Sequence, residues 1–369
     1  MTGAERPLVV EAEPAFRTAH ANPYNARLYQ TIAGDGCLVR DLSYVRLATR
    51  RVDIVHLHWP ELTFLTGRPW RVLARMMLFR AALRVARLRN DTKVVWTVHN
   101  VASHERRATP RLRAMLRRLL VRHVDGLLSL TEGGLATARA AHPQLADLPA
   151  VVTPHGHYRE DYDFTAPRVD ARARVGVRPG ATLVVSVGMI REYKNIPELV
   201  RTMVASDDPD LVLAVAGRPS SSSLAEEIRS AADGDPRVVL DLAFQSDDSL
   251  ATWLRAADVV VLPYRAIQNS GSAVLALSAD RPVVVPALGA MRELQASVGA
   301  DWVRCYTGDF DGDELDASVE WARSIRPEHP SLDRLDWPGI AADTVAFYRL
   351  VRDGTPMRPP VPVPESVRS

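Results

Sequence analysis

Short apolar runs alternate with helix-like stretches along most of this 369-residue chain. In the first half, runs such as LVVEAE and VDIVHLHW are each followed by a stretch with apolar residues at helical spacing. The second half repeats the pattern with TLVVSVG, LVLAVAG and DVVVLPY. Such alternation is typical of parallel β-α-β units, because parallel strands need a crossover between them and this is usually a helix. The sequence therefore predicts an α/β protein with two doubly wound sheets.

The boundary between the two sheets is predicted within residues 151–168, which are rich in His, Tyr, Asp and Pro and have no clear periodicity. We assign 1–155 to an N-terminal domain and 165–330 to a C-terminal domain, each long enough to bury its own core. A helix-like stretch at 331–353 follows. The Pro-rich end, 354–369, is expected to be disordered.

Charge is distributed unevenly along the chain. Residues 1–150 hold 23 Lys and Arg against 12 Asp and Glu, a net charge of +11, whereas the remainder carries −9. Much of the positive charge lies in segments 70–90 and 106–126, where Arg alternates with Leu, Met, Val and Ala at helical spacing. Each segment predicts either a helix on an anionic membrane surface or a core-facing helix with an Arg-rich solvated side. No nucleic-acid motif is present, so we expect no nucleic-acid partner.

Cysteine usage and apolar run length bear on the compartment. Cys37 and Cys305 are the only cysteines and lie far apart, so no disulfide framework is expected. No apolar run approaches the ~20 residues that span a bilayer, and no secretory signal is visible. These features predict a cytoplasmic protein. If the basic segments bind lipid, the protein is expected to be peripheral on the inner face of the plasma membrane.

Lys194 is one of only two lysines in a chain with 44 arginines. It follows the apolar run TLVVSVG, which ends in Gly188, so it is expected at the carboxyl end of a strand, where open α/β sheets bind ligands. An ammonium on a long stem suits a phosphate, and Arg191 can hold two oxygens at once. The pair predicts a pyrophosphate clamp. The alternative is that both are ordinary solvated loop charges.

A small polar cluster opens the apolar, helix-like run in QNSGSAVLALS. Ser and Asn are good N-caps, and the exposed amides of a helix start attract phosphate. A merely structural cap is the alternative. Two further loops follow apolar runs and are weaker candidates, since glycine there permits close approach of a ligand. These candidate binding residues are Asn269, Ser270, Gly271 and Ser272 in the cluster, and Gly217, Arg218 and Phe244 in the two loops.

Polar side chains also gather where two apolar runs of the first half end. If the sheet is parallel, both groups point toward the same cleft. Histidines two apart in a strand share one face but do not supply a full ligand set, so no metal site is expected. The acidic run at 309–316 lacks the glycine that a calcium loop needs at its sixth position. The two groups are His56, His58 and Glu61, and His99, His104 and Glu105.

Seven segments of the chain resemble, in the same order, motifs of one bacterial family. They are NPYNARLYQ, VDIVHLHWPE, WTVHNVASHE, PHGHYRE, VGMIREYKN, VVLPYRAIQNSGSAVLALSADRPVV and DWPGIA. They resemble the membrane-associated mannosyltransferases of exopolysaccharide assembly, in particular the xanthan-pathway family that moves mannose from GDP-mannose to a polyprenyl-diphosphate glycolipid with a β linkage. The resemblance covers 22–341. It implies the GT-B architecture, with two Rossmann-like domains facing a cleft and a C-terminal helix returning to the N-terminal domain.

The resemblance also implies an activity, that of a hexosyltransferase. The donor would be a nucleotide sugar, GDP-mannose, and the acceptor a lipid-linked or amphiphilic glycan, with no cofactor or metal required. The donor is expected on the C-terminal domain, with Phe244 near its base. Many retaining relatives carry a glutamate that holds the donor ribose near the positions of Leu275 and Ala276. This chain has no carboxylate there, which favours inversion.

An inverting transfer needs a group that takes the proton of the acceptor hydroxyl. Glu105 and Glu61 are the expected bases, followed by His104 and His99. His99 also resembles the histidine that GT-B enzymes place beside the donor sugar. The alternative functions are a retaining UDP-sugar transferase, a nucleotide-sugar epimerase of the same fold, and a non-catalytic partner subunit that binds a sugar nucleotide.

Overall fold

The computed structural model describes residues 6–19, 23–99 and 108–354. The chain divides into two compact units. One is formed by the chain up to Thr153 together with the chain from Pro338 onward, and the other is Pro154–Trp337. The residues between 156 and 164, expected to connect the domains, belong to the second unit.

The first unit is built on a sheet of six parallel strands. In chain order they are β1 (Leu8–Glu13), β2 (Cys37–Asp41), β3 (Ile54–Leu57), β4 (Lys93–Val98), β5 (Gly126–Ser129) and β6 (Ala150–Val152). Their order in the sheet is β2-β1-β3-β4-β5-β6, so the direction of winding reverses between β1 and β3. In open α/β sheets such a switch point is where ligands bind, outside the carboxyl ends of the strands.

Helices cover both faces of this sheet. They are α1 (Tyr24–Gly34), α2 (Tyr44–Thr49), α3 (Pro60–Phe64), α4 (Pro69–Asn90), α5 (Pro110–His123) and α6 (Glu132–Ala141). On one face, α4 and α5 bury apolar side chains such as Phe79 and Leu116 in one core with Trp96 of β4.

The second unit has its own sheet of six parallel strands, β7 (Thr182–Val187), β8 (Leu211–Ala216), β9 (Val238–Asp241), β10 (Val259–Val261), β11 (Val283–Pro286) and β12 (Val303–Tyr306). Its order, β12-β11-β10-β7-β8-β9, reverses between β7 and β10. Successive side chains of β7 enter different cores, Leu183 on one face and Val184 on the other. The sheet is therefore covered on both sides, and the predicted α/β class with two doubly wound sheets is confirmed.

The helices of the second unit are α7 (Arg168–Arg174), α8 (Ile196–Val204), α9 (Ser222–Ala232), α10 (Asp247–Ala256), α11 (Gly271–Ser278), α12 (Met291–Val298) and α13 (Gly312–Ala322). The last helix, α14 (Trp337–Asp353), returns the chain to the first unit. There Tyr348 of α14 packs on the face of the first sheet opposite α4, where its hydroxyl lies 2.6 Å from Nδ1 of His56.

The two basic segments fold as α4 and α5, and they expose different surfaces. The solvated side of α5 carries arginines around a single exposed methionine, Met115. This matches the predicted alternative of a core-facing helix with an Arg-rich solvated side. In contrast, α4 is apolar on its buried face and also exposes large apolar side chains, namely Trp70, Met77, Leu78 and Leu88, at 60%, 69%, 59% and 79% of their surface. No helix in the described part of the chain has the length and apolar character needed to cross a bilayer.

Candidate active site

Lys194 ends a short 3₁₀ turn that follows β7, and its side chain is buried. Its Nζ lies 3.4 Å from Oγ of Ser272 and 5.8 Å from the centre of the Tyr264 ring. Within the described ranges, no carboxylate forms an ion pair with it. Burial, and then the nearby charge of Arg191, lower the pKa of Lys194 to about 8. Lys194 is therefore not a solvated loop charge. It is a buried ammonium for which the described residues supply no counter-ion, and a bound anion would stabilise it.

Two glycines bring the backbones after β7 and β8 close together beside this ammonium. Gly188 has a φ of +94°, and a Cβ there would lie 3.2 Å from Oγ of Ser272 and 3.7 Å from Nζ of Lys194. A Cβ on Gly217 would lie 2.0 Å from the carbonyl oxygen of Gly188. Glycine is thus required at both positions, at Gly188 for its left-handed backbone and at Gly217 for the close approach.

The start of α11 lies on the same side of the sheet. Oγ of Ser270 accepts a hydrogen bond from N of Ala273 at 3.1 Å and lies 2.8 Å from the hydroxyl of Tyr264. Because Lys194 follows β7 and Tyr264 follows β10, side chains from both strands of the switch point meet here. The amides at the start of the helix add positive potential to that of the ammonium. Tyr264 was not expected from the sequence, although it directly follows the apolar run VVVLP.

The other expected binding residues of this unit lie in the loops that follow β7, β8 and β9. Arg191 is partly exposed, and its Nη2 lies 3.0 Å from Sδ of Met189. Arg218 is exposed, and its carbonyl accepts a hydrogen bond from N of Ile190 at 3.0 Å. Phe244 is 68% exposed in the loop after β9.

Gly271 is the first residue of α11 and lies next to residues from the start of the second unit, and Asn269 precedes the N-cap Ser270. A Cβ on Gly271 would lie 3.6 Å from Nε2 of His155 and 3.6 Å from the hydroxyl of Tyr158. Burial lowers the pKa of His155 to about 4, so its imidazole is neutral at pH 7. The start of α11 therefore adjoins the neutral imidazole of His155, which can form hydrogen bonds.

In the first unit, His56 is a buried structural histidine. Its Nδ1 lies 2.7 Å from the hydroxyl of Tyr29 and 2.6 Å from that of Tyr348, and its Nε2 lies 2.6 Å from Oγ1 of Thr97. Burial lowers the pKa of His56 to about 3. The ring is therefore neutral and fully engaged in hydrogen bonds.

His58 links this core to His99. Its Nε2 lies 2.5 Å from the hydroxyl of Tyr29, and its Nδ1 lies 3.0 Å from Nε2 of His99. The ring of Trp59 stacks on His99 with the ring centres 4.1 Å apart. Burial, and then the neighbouring His56 and His99, hold the pKa of His58 well below its usual range. His99 thus stands at one end of a buried chain of hydrogen-bonded rings, which fixes its orientation.

The carboxylates expected near these histidines have different positions. Glu61 lies in the first turn of α3, partly buried, and burial raises its pKa. His104 and Glu105 lie outside the described residues. No group of three His, Cys, Asp or Glu within the described part of the chain is arranged to hold a metal ion.

A pocket of about 670 Å³ opens where the first sheet has its switch point. Its volume is within the range of small-molecule sites. The residues that line it end or follow β1, follow β2 or β3, or belong to α2, α3 and α4: Glu13, Pro14, Arg17, Thr18, Leu42, Tyr44, Trp59, Leu62, Thr63 and Arg75. This pocket was not expected from the sequence. The sequence feature that could have indicated the pocket is Glu13, an acidic residue at the carboxyl end of the apolar run LVVEAE.

Comparison with known proteins places the chain in a family. The family described as glycosyl transferases group 1 matches residues 181–309, which include the Lys194 site and the start of α11. A GDP-mannose:glycolipid 4-beta-D-mannosyltransferase of Xanthomonas campestris is 33% identical over 325 residues, which are 87% of this chain and 86% of the relative. A D-inositol 3-phosphate glycosyltransferase of Kineococcus radiotolerans is 28% identical over 335 residues, 81% of this chain and 70% of that protein.

Solved structures support the fold. Sucrose-phosphate synthase of Thermosynechococcus elongatus superposes with a TM-score of 0.67 at 18% identity, covering 94% of this chain and 100% of the other. HepE of Anabaena, solved in complex with UDP-glucose, gives a TM-score of 0.61 at 14% identity and covers 94% and 98%. Together with the two six-stranded parallel sheets, these likenesses confirm the GT-B fold. The chain is a glycosyltransferase, and it belongs to the family of the Xanthomonas GDP-mannose:glycolipid 4-beta-D-mannosyltransferase.

Proposed function

We propose that this glycosyltransferase transfers mannose from GDP-mannose, with inversion, to a lipid-linked or amphiphilic glycan acceptor. The name of the Xanthomonas relative supports this donor and this class of acceptor. The observation that carries the proposal is Lys194, a buried ammonium without a carboxylate partner in the described ranges, beside Gly188 and Gly217.

The leaving group of the reaction is a nucleoside diphosphate, whose negative charge must be stabilised as the bond to the sugar breaks. Lys194, the hydroxyl of Ser272 and the first amides of α11 offer positive charge and hydrogen-bond donors for that purpose. Arg191 adds a second cation from the same loop, and we expect the exposed Arg218 and Phe244, in the loops after β8 and β9, to contact the donor as well. With this set no metal ion is required, so we expect activity to survive excess EDTA.

Inversion is supported by the inner face of α11. Leu275 and Ala276, near the position where many retaining relatives have a carboxylate, are buried apolar side chains. The proposed donor site therefore has no acidic group from this helix to hold a ribose.

The test is a donor panel with stereochemical analysis of the product. GDP-mannose, GDP-glucose, UDP-glucose and UDP-galactose are each incubated with the enzyme and n-octyl glycosides, and nucleotide release is measured. We expect GDP-mannose to react fastest, and its product to be β-configured in the anomeric one-bond carbon–proton coupling. An α product would overturn inversion, and a preference for a UDP-sugar would overturn the donor.

The same panel distinguishes the alternative functions. A released epimer or free sugar that forms independently of acceptor would identify an epimerase or a hydrolase. Tight binding of GDP with no turnover on any donor and acceptor would identify a non-catalytic subunit.

We also propose that α4 lies on the anionic surface of a membrane, where a lipid-linked acceptor is found. The helix is 22 residues long, about 33 Å, and its exposed residues Trp70, Met77 and Leu88 lie along one line of the helix surface. Arg80 and Arg84 are exposed beside this line. Apolar side chains flanked by arginines suit the boundary between acyl chains and anionic headgroups.

Vesicle sedimentation tests this surface. Wild-type protein should bind phosphatidylglycerol vesicles, less as salt rises, and phosphatidylcholine vesicles poorly. The double variant Trp70→Ser, Leu88→Ser should lose most of this binding, whereas Met115→Ser on α5 should not. Equal binding to both lipids at every salt concentration would show that α4 has only a solvated face.

A further inference from the structure

Two buried glutamates of β1, Glu11 and Glu13, point to the same side of the strand because they are two residues apart. In Glu11 both oxygens are held by the protein. Oε1 accepts a hydrogen bond from Nε of Arg46 at 2.6 Å, and Oε2 accepts from Nη2 of Arg46 at 3.1 Å and from N of Ser43 at 2.7 Å. Glu11 is thus a structural carboxylate that ties α2 to the sheet.

Glu13 is held differently. It ends β1, and it lines the pocket at the switch point although only 5% of its surface is exposed. Its Oε1 accepts a hydrogen bond from Oγ1 of Thr63 at 2.8 Å, and its Oε2 forms an ion pair with Arg17. Arg17 is half exposed and has a second carboxylate partner in Asp41, at 3.3 Å. Burial nonetheless raises the pKa of Glu13 above its ordinary value. The pocket therefore contains a desolvated carboxyl group of raised basicity.

The walls of the pocket suit a sugar. Trp59 and Tyr44 contribute aromatic rings, and Leu62 adds an apolar surface. Aromatic rings pack against the C–H faces of a pyranose, while a small number of polar groups fix its hydroxyls. Trp59 also stacks on His99, so the pocket adjoins the histidine that is expected beside the donor sugar.

We propose that this pocket binds the terminal sugar of the acceptor, and that Glu13 accepts the proton of the hydroxyl that reacts. This assignment rests on the proposed inverting transfer and names the group that performs it. The pocket lies at the switch point between β1 and β3, where doubly wound sheets bind ligands. Glu61, on the neighbouring helix, is not among the residues that line it.

The chemical step is a single displacement. The acceptor oxygen forms a bond to C1 of mannose as the bond from C1 to the β-phosphate oxygen breaks. The electron pair of that bond leaves with GDP, and the hydroxyl proton passes to the carboxylate of Glu13. Thr63 and Arg17 hold the carboxylate in place. After the product leaves, Glu13 releases the proton to solvent.

Glu13→Gln keeps the shape of the side chain and removes the proton acceptor. Glu11→Gln, the same change two residues earlier on the same strand, is the matched control. GDP release from GDP-mannose is measured in water alone and with n-octyl β-D-glucopyranoside, kcat/KM is followed against pH, and GDP affinity is measured by calorimetry. For Glu13→Gln we expect a rate that falls ~10² to 10⁴-fold with GDP affinity unchanged. The fall in rate toward acid pH should be present in wild type and Glu11→Gln and absent in Glu13→Gln.

Thr63→Val provides a second readout that does not require loss of the carboxylate. The hydroxyl of Thr63 lowers the pKa of Glu13, so its removal should move the acid limb of the rate profile to higher pH. An acid limb that stays in place in Thr63→Val and persists in Glu13→Gln would overturn the assignment of Glu13.

The outcomes separate this assignment from the proposed function. If Glu105→Gln or Glu61→Gln abolishes the acid limb while Glu13→Gln retains it, the base is that residue and the proposed transfer stands. If wild-type enzyme neither binds GDP nor releases it from GDP-mannose, the proposed function itself is overturned.

Discussion

The two units share a parallel, doubly wound design, yet they bury opposite kinds of polar group at their switch points. The first unit has an acid, Glu13, next to a group of buried imidazoles that includes His58 and His99. The second has an ammonium, Lys194, for which the described residues provide no carboxylate. The same arrangement of strands therefore buries a carboxyl group in one unit and an ammonium in the other.

This difference corresponds to the two demands of glycosyl transfer. A proton must be removed from the nucleophile, and negative charge must be stabilised on the leaving group. Each polar group is expensive to bury in the free protein, because its charged form loses hydration. The cost of burying cationic groups in each unit can be measured as a dependence of stability on pH.

The largest effect should be a loss of stability in acid that arises in the first unit. His56 has a folded pKa of about 3, and burial also depresses that of His58, whereas an unfolded histidine has a pKa of about 6.5. Below pH 6.5 the unfolded chain binds more protons than the folded chain, so stability falls as pH falls from 6.5 toward 3. Each pKa unit is worth about 1.4 kcal/mol, so the loss should reach several kcal/mol.

Urea unfolding at pH 7, 5.5 and 4.5 measures this loss. His56→Gln cannot titrate, so its stability should depend less steeply on pH than that of wild type. His329→Gln, at an exposed histidine, is the control and should keep the wild-type slope. Identical slopes in all three proteins would show that His56 does not contribute to acid sensitivity.

The second unit should show a dependence of the same sign, but in alkali. The folded pKa of Lys194 is about 8, below the ordinary 10.5, so between these values the unfolded chain again binds more protons. Stability of the ligand-free protein should therefore rise as pH increases from about 8 to 10.5, by up to ~3 kcal/mol. Lys194→Met should lack this rise and be more stable than wild type at pH 7. A wild-type profile that is flat or falling relative to Lys194→Met would contradict the burial of an uncompensated ammonium.

The same substitution should weaken donor binding. Hydrogen bonds to a charged group are worth about 1.5 to 3 kcal/mol, so Lys194→Met should lower GDP affinity by roughly 10- to 150-fold in calorimetry. The control is Lys93→Met, which removes the other lysine of the chain, a residue of β4 paired with Asp91 at 2.9 Å. We expect unchanged affinity there. Equal GDP affinities in both variants would show that the diphosphate does not bind at Lys194.

Much of the second unit's site could be predicted from the sequence, because its signals are local. A rare lysine in the loop after an apolar strand indicated Lys194, and a capping serine before an apolar helix indicated Ser270. The depth of burial of Lys194 could not be predicted, since the residues that cover it, Tyr264 and Ser272, come from about 70 positions further along the chain.

The first unit's site depends more on strand order, which no local pattern reveals. Glu13 was read only as part of a strand, because its significance comes from the reversal between β1 and β3. The two basic segments have similar sequence patterns, and only packing shows that α4 exposes apolar side chains such as Leu88 while α5 buries most of its own.

The smallest expected effect is a change in GDP affinity that distinguishes helix capping from anion binding at the start of α11. Ser270 and Ser221 each cap a helix by accepting a backbone hydrogen bond, at 3.1 Å from Ala273 and at 3.2 Å from Leu224. Replacing either serine with Ala should cost about 1 kcal/mol of stability in urea unfolding. Only Ser270→Ala should also weaken GDP binding, by a few-fold, because fraying at the start of α11 displaces the amides that are proposed to meet the diphosphate. If both variants bind GDP as wild type does, α11 is a scaffold helix only, and Lys194 with its loop accounts for the anion site alone.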